Sequence, residues 1–105
     1  MSDSIFSKII DRKISADIIA ETDDLIVIRD INPKAKIHLL IIPKKEIANI
    51  PVFSDDDCRY GAKIFKMAKH LSKTIPGADQ FQLIMNNGER AGQEVFHAHV
   101  HFLAN

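Results

Sequence analysis

The sequence predicts an α+β protein built on a five-stranded, mainly antiparallel sheet with one long and one short helix. Three observations lead to this prediction. Five apolar stretches have lengths typical of strands. One longer stretch carries apolar residues at helical spacing. Most of the segments between them are short and polar, as expected for turns that join antiparallel neighbours.

The first half of the chain contains the short helix and three of the strands. Residues 4–11, SIFSKIID, are predicted to form the short helix, and Ser4 is placed to cap its first turn. Three apolar stretches follow, and Pro43, which cannot donate a backbone hydrogen bond, stops the last of them. These strands are expected at residues 16–21, 25–30 and 36–43.

The long helix is expected at residues 54–77, with Ser54 as its N-cap and with Pro76 and Gly77 at its end. Acidic residues follow the cap, where the helix dipole favours negative charge. One face of the helix is apolar and is expected to pack on the sheet. Its stripe is Cys58, Ala62, Phe65, Met67 or Ala68, Leu71 and Ile75, so Cys58 is interpreted as a small core residue.

Two further strands complete the predicted sheet. They are expected at residues 80–86 and 94–104, and the polar turn NGERAGQ joins them. In the last strand, Ala98, Val100 and Phe102 would share one face and form its core side, because successive side chains of a strand point to opposite faces.

Composition limits the kind of protein this is. The 105 residues match one ordinary domain, which we expect to span residues 1–105. The formal net charge is zero, so the basic excess of a nucleic-acid-binding protein is lacking. No charged-then-apolar leader opens the chain and no apolar run would span a bilayer, so we expect a cytoplasmic protein without a membrane partner. A single cysteine excludes an internal disulfide and a multi-cysteine zinc site.

The segment FHAHVHFL places His97, His99 and His101 at alternate positions near the end of the sequence. Three imidazoles on one strand face need polar partners, so this face is expected to meet solvent, a ligand or a polar network. Metal binding is one reading, but His97 and His101 would be about 13 Å apart along a strand, too far to share one ion comfortably. Nucleophilic and acid–base chemistry by neighbouring imidazoles is the other.

The segment HAHVHFL fits the pattern His-x-His-x-His-x-x, with x apolar, of the histidine triad (HIT) superfamily. The likeness also covers IFSKIIDRKISADIIAETD, RDINPKAKIHLLIIPKKEI and MNNGERAGQEVFHAHVHFL, and so nearly the whole chain. In these segments the chain resembles the Hint branch, the purine nucleoside phosphoramidases, and in particular its bacterial members. The resemblance implies a homodimer in which two five-stranded sheets join across a two-fold axis.

The resemblance also implies a role for each matching histidine. His99 would attack the α-phosphorus of a purine nucleotide and form a covalent nucleotidyl-histidine. An amine would leave, and water would then release the nucleoside monophosphate. His101 would contact the phosphate, while His97 and His38 would form a supporting hydrogen-bond relay. No metal or cofactor is expected.

The same resemblance assigns the nucleotide-binding residues. Asn86 would orient the phosphate group, and Asp30 would accept hydrogen bonds from the ribose hydroxyls. Ile31 would flank the ribose and base, and Ile28 would help to wall the base pocket. The phosphate and leaving-group side would be lined by Gly92, Gln93, Glu94 and Val95.

Other functions stay open at this point. A dinucleoside polyphosphate hydrolase would use the same nucleophile with a nucleotide as the leaving group. A nucleotide-binding or protein-interaction module with weak activity is a second alternative, and a metal-binding module is a third. Binding of a nucleoside monophosphate compared with turnover of a phosphoramidate would separate a binder from a catalyst.

The chain departs from the Hint pattern at three places. Ala91 stands where many members have Gly, and Glu46 stands where His is common after PKK. We assign Glu46 no chemistry from the sequence. Only Ala104 and Asn105 follow Leu103, where many members carry a longer tail, so we expect the leaving-group side of the site to be open.

Overall fold

The computed structural model describes residues 4–105 and confirms the α+β fold. Its five strands form one sheet in the order β1-β2-β3-β5-β4, and every neighbouring pair is antiparallel. The strands are β1 (Ile18–Glu21), β2 (Leu25–Arg29), β3 (Ile37–Pro43), β4 (Gln82–Ile84) and β5 (Val100–Ala104). The helices are α1 (Ile5–Ile10) and α2 (Arg59–Thr74), and short 3₁₀ turns span Ile50–Val52, Asp56–Cys58 and Glu89–Ala91.

The two helices pack on opposite faces of the sheet. In β3, Leu39 and Ile41 belong to the core formed with α2, whereas Leu40 and Ile42 belong to the core formed with α1. Strands covered on both faces read as continuous apolar runs, which explains the segments LIVI and LLII. Because His38 alternates with Leu39, its side chain lies on the α1 face of the sheet.

Ser4 caps the first turn of α1 as expected, whereas α2 begins at Arg59, five residues after the predicted cap Ser54, and its N-cap Cys58 makes no side-chain cap hydrogen bond. The Ser4 hydroxyl accepts a hydrogen bond from the Ser7 backbone N–H at 2.9 Å. Ser54 and Asp57 cap each other, because each side chain accepts from the other's backbone N–H at 3.0 Å. In the part of the chain that is described, neither helix has the length and apolarity needed to cross a lipid bilayer.

The apolar stripe of α2 was predicted correctly only in its second half. Met67, Ala68 and Leu71 are buried as expected. Cys58 and Ala62 are exposed, and Phe65 is 69% exposed, so the prediction of a core cysteine is wrong. Tyr60 and Ile64 are buried instead, because they share the face of Met67 and Leu71 at helical spacing.

The C-terminal strand is shorter than predicted. It begins at Val100, so His101 lies in β5, while His97 and His99 belong to the irregular segment before it. The backbone N–H of Ala98 donates to the carbonyl oxygen of Ile47 at 2.7 Å, a contact outside the sheet ladder. The predicted core side is nevertheless confirmed, because Ala98, Val100 and Phe102 are all buried.

Candidate active site

The pairing of β3 with β5 brings two histidines together on the α1 face of the sheet. His38 lies opposite Leu103, and His101 lies opposite Leu40 in the antiparallel register. These positions are diagonal neighbours, so two imidazole rings can meet between them. Nε2 of His38 is 2.9 Å from Nδ1 of His101, and the ring centroids are 5.1 Å apart.

The hydrogen bonds around this pair define where its protons lie. The backbone N–H of Lys34 donates to Nδ1 of His38 at 3.0 Å. His38 is therefore neutral with its proton on Nε2, because an imidazole nitrogen that accepts a hydrogen bond carries no proton. Nε2–H of His38 then donates to Nδ1 of His101. In neutral His101 the remaining proton is on Nε2, which is available as a donor to a bound group.

Asp30 adds a carboxylate beside this pair. Oδ2 of Asp30 lies 3.3 Å from Nε2 of His38, and Oδ1 accepts from the backbone N–H of Asn32 at 2.8 Å. Burial and the neighbouring histidines His99 and His38 lower the pKa of His101, while the carboxylates of Asp30 and Glu94 oppose that shift. The net direction favours a neutral His101 near pH 7.

His99 is held with one nitrogen free. Its Nδ1 is 2.7 Å from the carbonyl oxygen of His97. Because a carbonyl oxygen only accepts, Nδ1 carries the proton, and the lone pair of Nε2 has no hydrogen-bond partner among residues 4–105. Burial is the main cause of a lowered pKa for His99, which keeps the ring neutral. The His99 and His101 ring centroids are 5.2 Å apart, so the two rings border the same space.

His97 is fully buried in a polar network. Its Nε2 donates to the carbonyl oxygen of Pro43 at 2.7 Å, so its Nδ1 accepts from the Ser4 hydroxyl at 2.7 Å. Burial lowers the pKa of His97, and the Pro43 carbonyl and the Glu46 carboxylate oppose this shift. The relay predicted between His97 and His38 is wrong, because their hydrogen bonds form two separate chains. The reason is that His97 lies beside Pro43 and the first turn of α1, whereas His38 lies between the Lys34 backbone and His101.

Helix α1 supplies contacts that the sequence interpretation missed. The Phe6 ring packs edge-on against His99 at 5.0 Å and against His97 at 5.9 Å between centroids. Oε1 of Glu46 accepts from the Ser4 backbone N–H at 2.9 Å and from the Ser7 hydroxyl at 2.5 Å. Ser4 was recognised only as a helix cap. No sequence pattern predicted the Glu46 contacts, which join residues 42 and 39 positions apart.

The loop before the triad is held by the side chain of Gln93. Its Oε1 accepts from the backbone N–H of Gly88 and the side-chain amide of Asn49 at 2.9 and 3.0 Å. Its Nε2 donates to the carbonyl oxygens of Ala48 and Val95 at 2.7 and 3.0 Å. The buried amide thus has two acceptor and two donor partners within the protein. The side chain is therefore a structural clamp of this loop, and its place on the phosphate side stays a prediction.

Two glycines give this loop its shape. Gly88 and Gly92 have φ values of +98° and +93°, a region that side chains disfavour. Among the described residues, Ala91 is not one of those with a positive φ. Alanine is therefore compatible with the backbone at this position. A Cβ placed on Gly92 would be 3.9 Å from Cγ of Asn86, which puts this predicted phosphate ligand beside the loop.

The remaining predicted binding residues differ in exposure. Ile31 is 89% exposed, as a residue that meets a ligand from solvent would be. Ile28 is buried in the core beneath α1, so its side chain is mainly structural. Glu94 is exposed, and Val95 is half-buried against the same core.

One group of side chains has the composition of a metal site. Ligand-type atoms of Asp30, His38 and His101 all lie within 4.8 Å of one another. However, Nε2 of His38 carries a proton, since its Nδ1 accepts from Lys34, and so it offers no lone pair to a cation. The arrangement fits a hydrogen-bonded relay better than a metal centre.

Comparison with known proteins assigns the chain to a family. The HIT domain model matches residues 11–105. An uncharacterized HIT-like protein of Synechocystis sp. is 41% identical over 101 residues, which cover 96% of this chain and 89% of that protein. A HIT family hydrolase from Clostridium thermocellum has a TM-score of 0.94 and 38% identity, covering 100% of this chain and 92% of that chain. A HIT family hydrolase from Legionella pneumophila has a TM-score of 0.91 and 38% identity, covering 98% and 93%. The chain therefore belongs to the HIT domain family.

Proposed function

We propose that the protein hydrolyses the phosphorus–nitrogen bond of purine nucleoside phosphoramidates, of the adenosine 5′-phosphoramidate type. One observation carries this proposal. Nδ1–H of His99 is held by the carbonyl oxygen of His97, which leaves the Nε2 lone pair of a neutral imidazole free beside His101. An imidazole in this state is prepared for nucleophilic attack without a metal ion.

The proposed reaction has two steps. Nε2 of His99 attacks the α-phosphorus, a bond forms between them, and the phosphorus–nitrogen bond to the amine breaks. The amine takes up one proton from solvent as it leaves, and the water that attacks in the second step returns one proton to solvent. Water then attacks the same phosphorus, releases the nucleoside monophosphate and returns His99 to its neutral state. Each step replaces one bond to phosphorus by another, so no oxidant or reductant is needed.

The surrounding donors fit the charge that develops on the phosphoryl oxygens. Nε2–H of His101 is the outer end of the relay from Lys34 through His38. The relay keeps this proton in place before the substrate arrives, which is the arrangement that stabilises a transition state most. We assign Asn86 and the backbone of Gly92–Val95 to the same oxygens, because Asn86 lies against Gly92.

The nucleoside part would lie at the end of β2. Ile31 offers an exposed apolar side chain two residues after that strand, suited to packing against a purine. Asp30 keeps acceptor capacity for ribose hydroxyls, because each carboxylate oxygen has two lone pairs and, in the described part of the chain, one N–H binds Oδ1. Ile28 would support this pocket from the core. The similarity to two HIT family hydrolases supports hydrolysis as the reaction class.

A panel of substrates tests this function. We expect turnover of adenosine 5′-phosphoramidates with kcat/KM at least about tenfold above that of dinucleoside polyphosphates, a preference of about 1.4 kcal/mol. Activity should persist in EDTA, because no step uses a metal. The opposite preference would favour the dinucleoside polyphosphate hydrolase. Tight binding of a nucleoside monophosphate without turnover of any substrate would favour a binding module.

We also propose that the protein is cytoplasmic and forms a homodimer. Each subunit would consist of one HIT domain that spans residues 1–105. β4 is an edge strand of the sheet, and Phe81 and Ile84 in and beside it are exposed large apolar residues. An open edge with apolar side chains favours pairing with another chain. Sedimentation equilibrium should give the mass of two chains, and Ile84→Lys should shift it toward one. A wild-type mass of one chain at micromolar concentration would contradict the dimer.

A further inference from the structure

Glu46 joins the end of β3 to the first turn of α1. It lies three residues after Pro43, the last residue of β3. Its Oε1 accepts two hydrogen bonds from α1, one from the Ser4 backbone N–H at 2.9 Å and one from the Ser7 hydroxyl at 2.5 Å. These donors lower the pKa of Glu46, so the carboxylate is charged near pH 7. One surface oxygen therefore ties the first turn of α1, whose Phe6 and Ile9 are buried in the core, to the segment after β3.

That turn contacts both of the buried triad histidines. The Ser4 hydroxyl donates to Nδ1 of His97 at 2.7 Å, and the same oxygen accepts from the Ser7 N–H. The Phe6 ring packs edge-on against His99 at 5.0 Å. His97 in turn provides the carbonyl oxygen that holds Nδ1–H of His99. A shift of α1 would move the partners of both rings together.

We propose that Glu46 is a positioning residue for the nucleophile, because it anchors the helix whose Ser4 hydroxyl and Phe6 ring hold His97 and His99. This inference rests on the proposed function and deepens it. Glu46 does not reach the reacting atoms. It acts through α1, and its effect is on the orientation and tautomer of the two rings.

Glu46 acts in this account as an acceptor of two hydrogen bonds at one oxygen. A glutamine keeps a carbonyl oxygen that can accept from both Ser4 and Ser7, whereas an alanine keeps none. Glu46→Gln should therefore preserve the arrangement that Glu46→Ala destroys. Comparing these two variants distinguishes the loss of the hydrogen bonds to α1 from the loss of a surface charge.

The first measurement uses the protein without substrate. ¹⁵N spectra of the histidine side chains report which ring nitrogen carries the proton. In the wild type we expect His97 protonated at Nε2 and His99 at Nδ1. Glu46→Ala should replace the single His99 tautomer by an average of two, and Glu46→Gln should keep the wild-type spectrum. Asp56→Ala, which removes a carboxylate paired with Arg59 at the surface, is the matched control and should change neither ring.

The second measurement is turnover of an adenosine phosphoramidate. Glu46→Ala should lower kcat about tenfold with KM within about twofold, because the nucleophile is misplaced while the nucleotide contacts remain. Glu46→Gln and Asp56→Ala should keep kcat within about twofold. Ser7→Ala removes one of the two donors and should lower kcat about threefold. If Glu46→Ala does not fold, the kcat of Ser7→Ala tests the proposal instead.

Two results would overturn the proposal. One is a folded Glu46→Ala protein with the wild-type tautomers and nearly wild-type kcat. The other is an equal loss in the glutamine and alanine variants, which would assign the effect to charge. The spectra need no turnover. If they change as expected while no phosphoramidate is hydrolysed, the positioning of the histidines stands and the proposed function fails.

Discussion

The variant His99→Ala is expected to lower kcat for adenosine 5′-phosphoramidate by about 10⁴-fold or more, a size typical of removing an enzymic nucleophile. His101 cannot replace it, because Nδ1 of His101 accepts from His38 and its Nε2 bears the proton. His97 has both ring nitrogens engaged with Pro43 and Ser4. Steady-state kinetics of the wild type and of His99→Ala measure the loss of kcat.

Binding and folding should survive this substitution. His99 lies at the edge of the core, with 9% of its surface exposed, and within residues 4–105 its ring makes one hydrogen bond, to a carbonyl oxygen beside it. Calorimetric affinity for AMP should stay within about threefold, a change below 1 kcal/mol. His70→Ala, which removes an exposed histidine of α2, is the matched control and should keep full activity. A His99→Ala protein that retained most of its kcat would exclude His99 as the nucleophile.

Gln93→Leu is expected to lower the free energy of unfolding by about 3 kcal/mol, because a side chain of similar size removes every hydrogen bond of the clamp. The backbone N–H of Gly88 and the carbonyl oxygens of Ala48 and Val95 would lose their partners. The loop whose amides we propose to face the phosphate would also loosen, so kcat should fall together with stability. Urea denaturation and initial rates measure the two effects.

The clamp can also be tested without changing its shape. Gln93→Glu keeps the acceptors for Gly88 and Asn49 but loses both donor bonds, and it places a carboxylate against two carbonyl oxygens. It should destabilise the protein by a similar amount. Gln80→Leu, at an exposed glutamine, should change stability by less than about 0.5 kcal/mol. If Gln93→Leu were as stable as Gln80→Leu, the hydrogen bonds of Gln93 would make no net contribution to the free energy of unfolding.

Periodicity and turn composition were sufficient to predict the sheet and both helices. The strands LIVIR and IHLLIIP are mostly apolar runs, and Ser4 caps α1 as expected. Ser54 precedes a 3₁₀ turn, and α2 begins later, at Arg59. The start of the last strand was predicted six residues too early. Alternation of side chains at residues 94–99 resembles a strand, but Ala98 hydrogen-bonds to Ile47 and Gln93 to Ala48 outside the ladder.

The site was predicted less completely than the fold. The motif identifies the three histidines, but the position of each proton depends on carbonyl oxygens and N–H groups from Pro43, Lys34 and His97. Those partners are set by tertiary packing. Glu46 and Phe6 meet the triad from 40 or more positions away, and neither carries a motif of its own. A local sequence pattern cannot predict contacts between residues that are so far apart in the chain.

Trapping the intermediate tests the central claim most directly. The protein is mixed with a phosphoramidate substrate, quenched within one turnover and digested near neutral pH, since a phosphorus–nitrogen bond to imidazole is acid-labile. Mass spectrometry with fragmentation that preserves this bond then locates the adduct within the peptide that follows Arg90. The account predicts one nucleotidyl group on His99. An adduct on His97 or His101, or an unmodified peptide while substrate is being consumed, would contradict it.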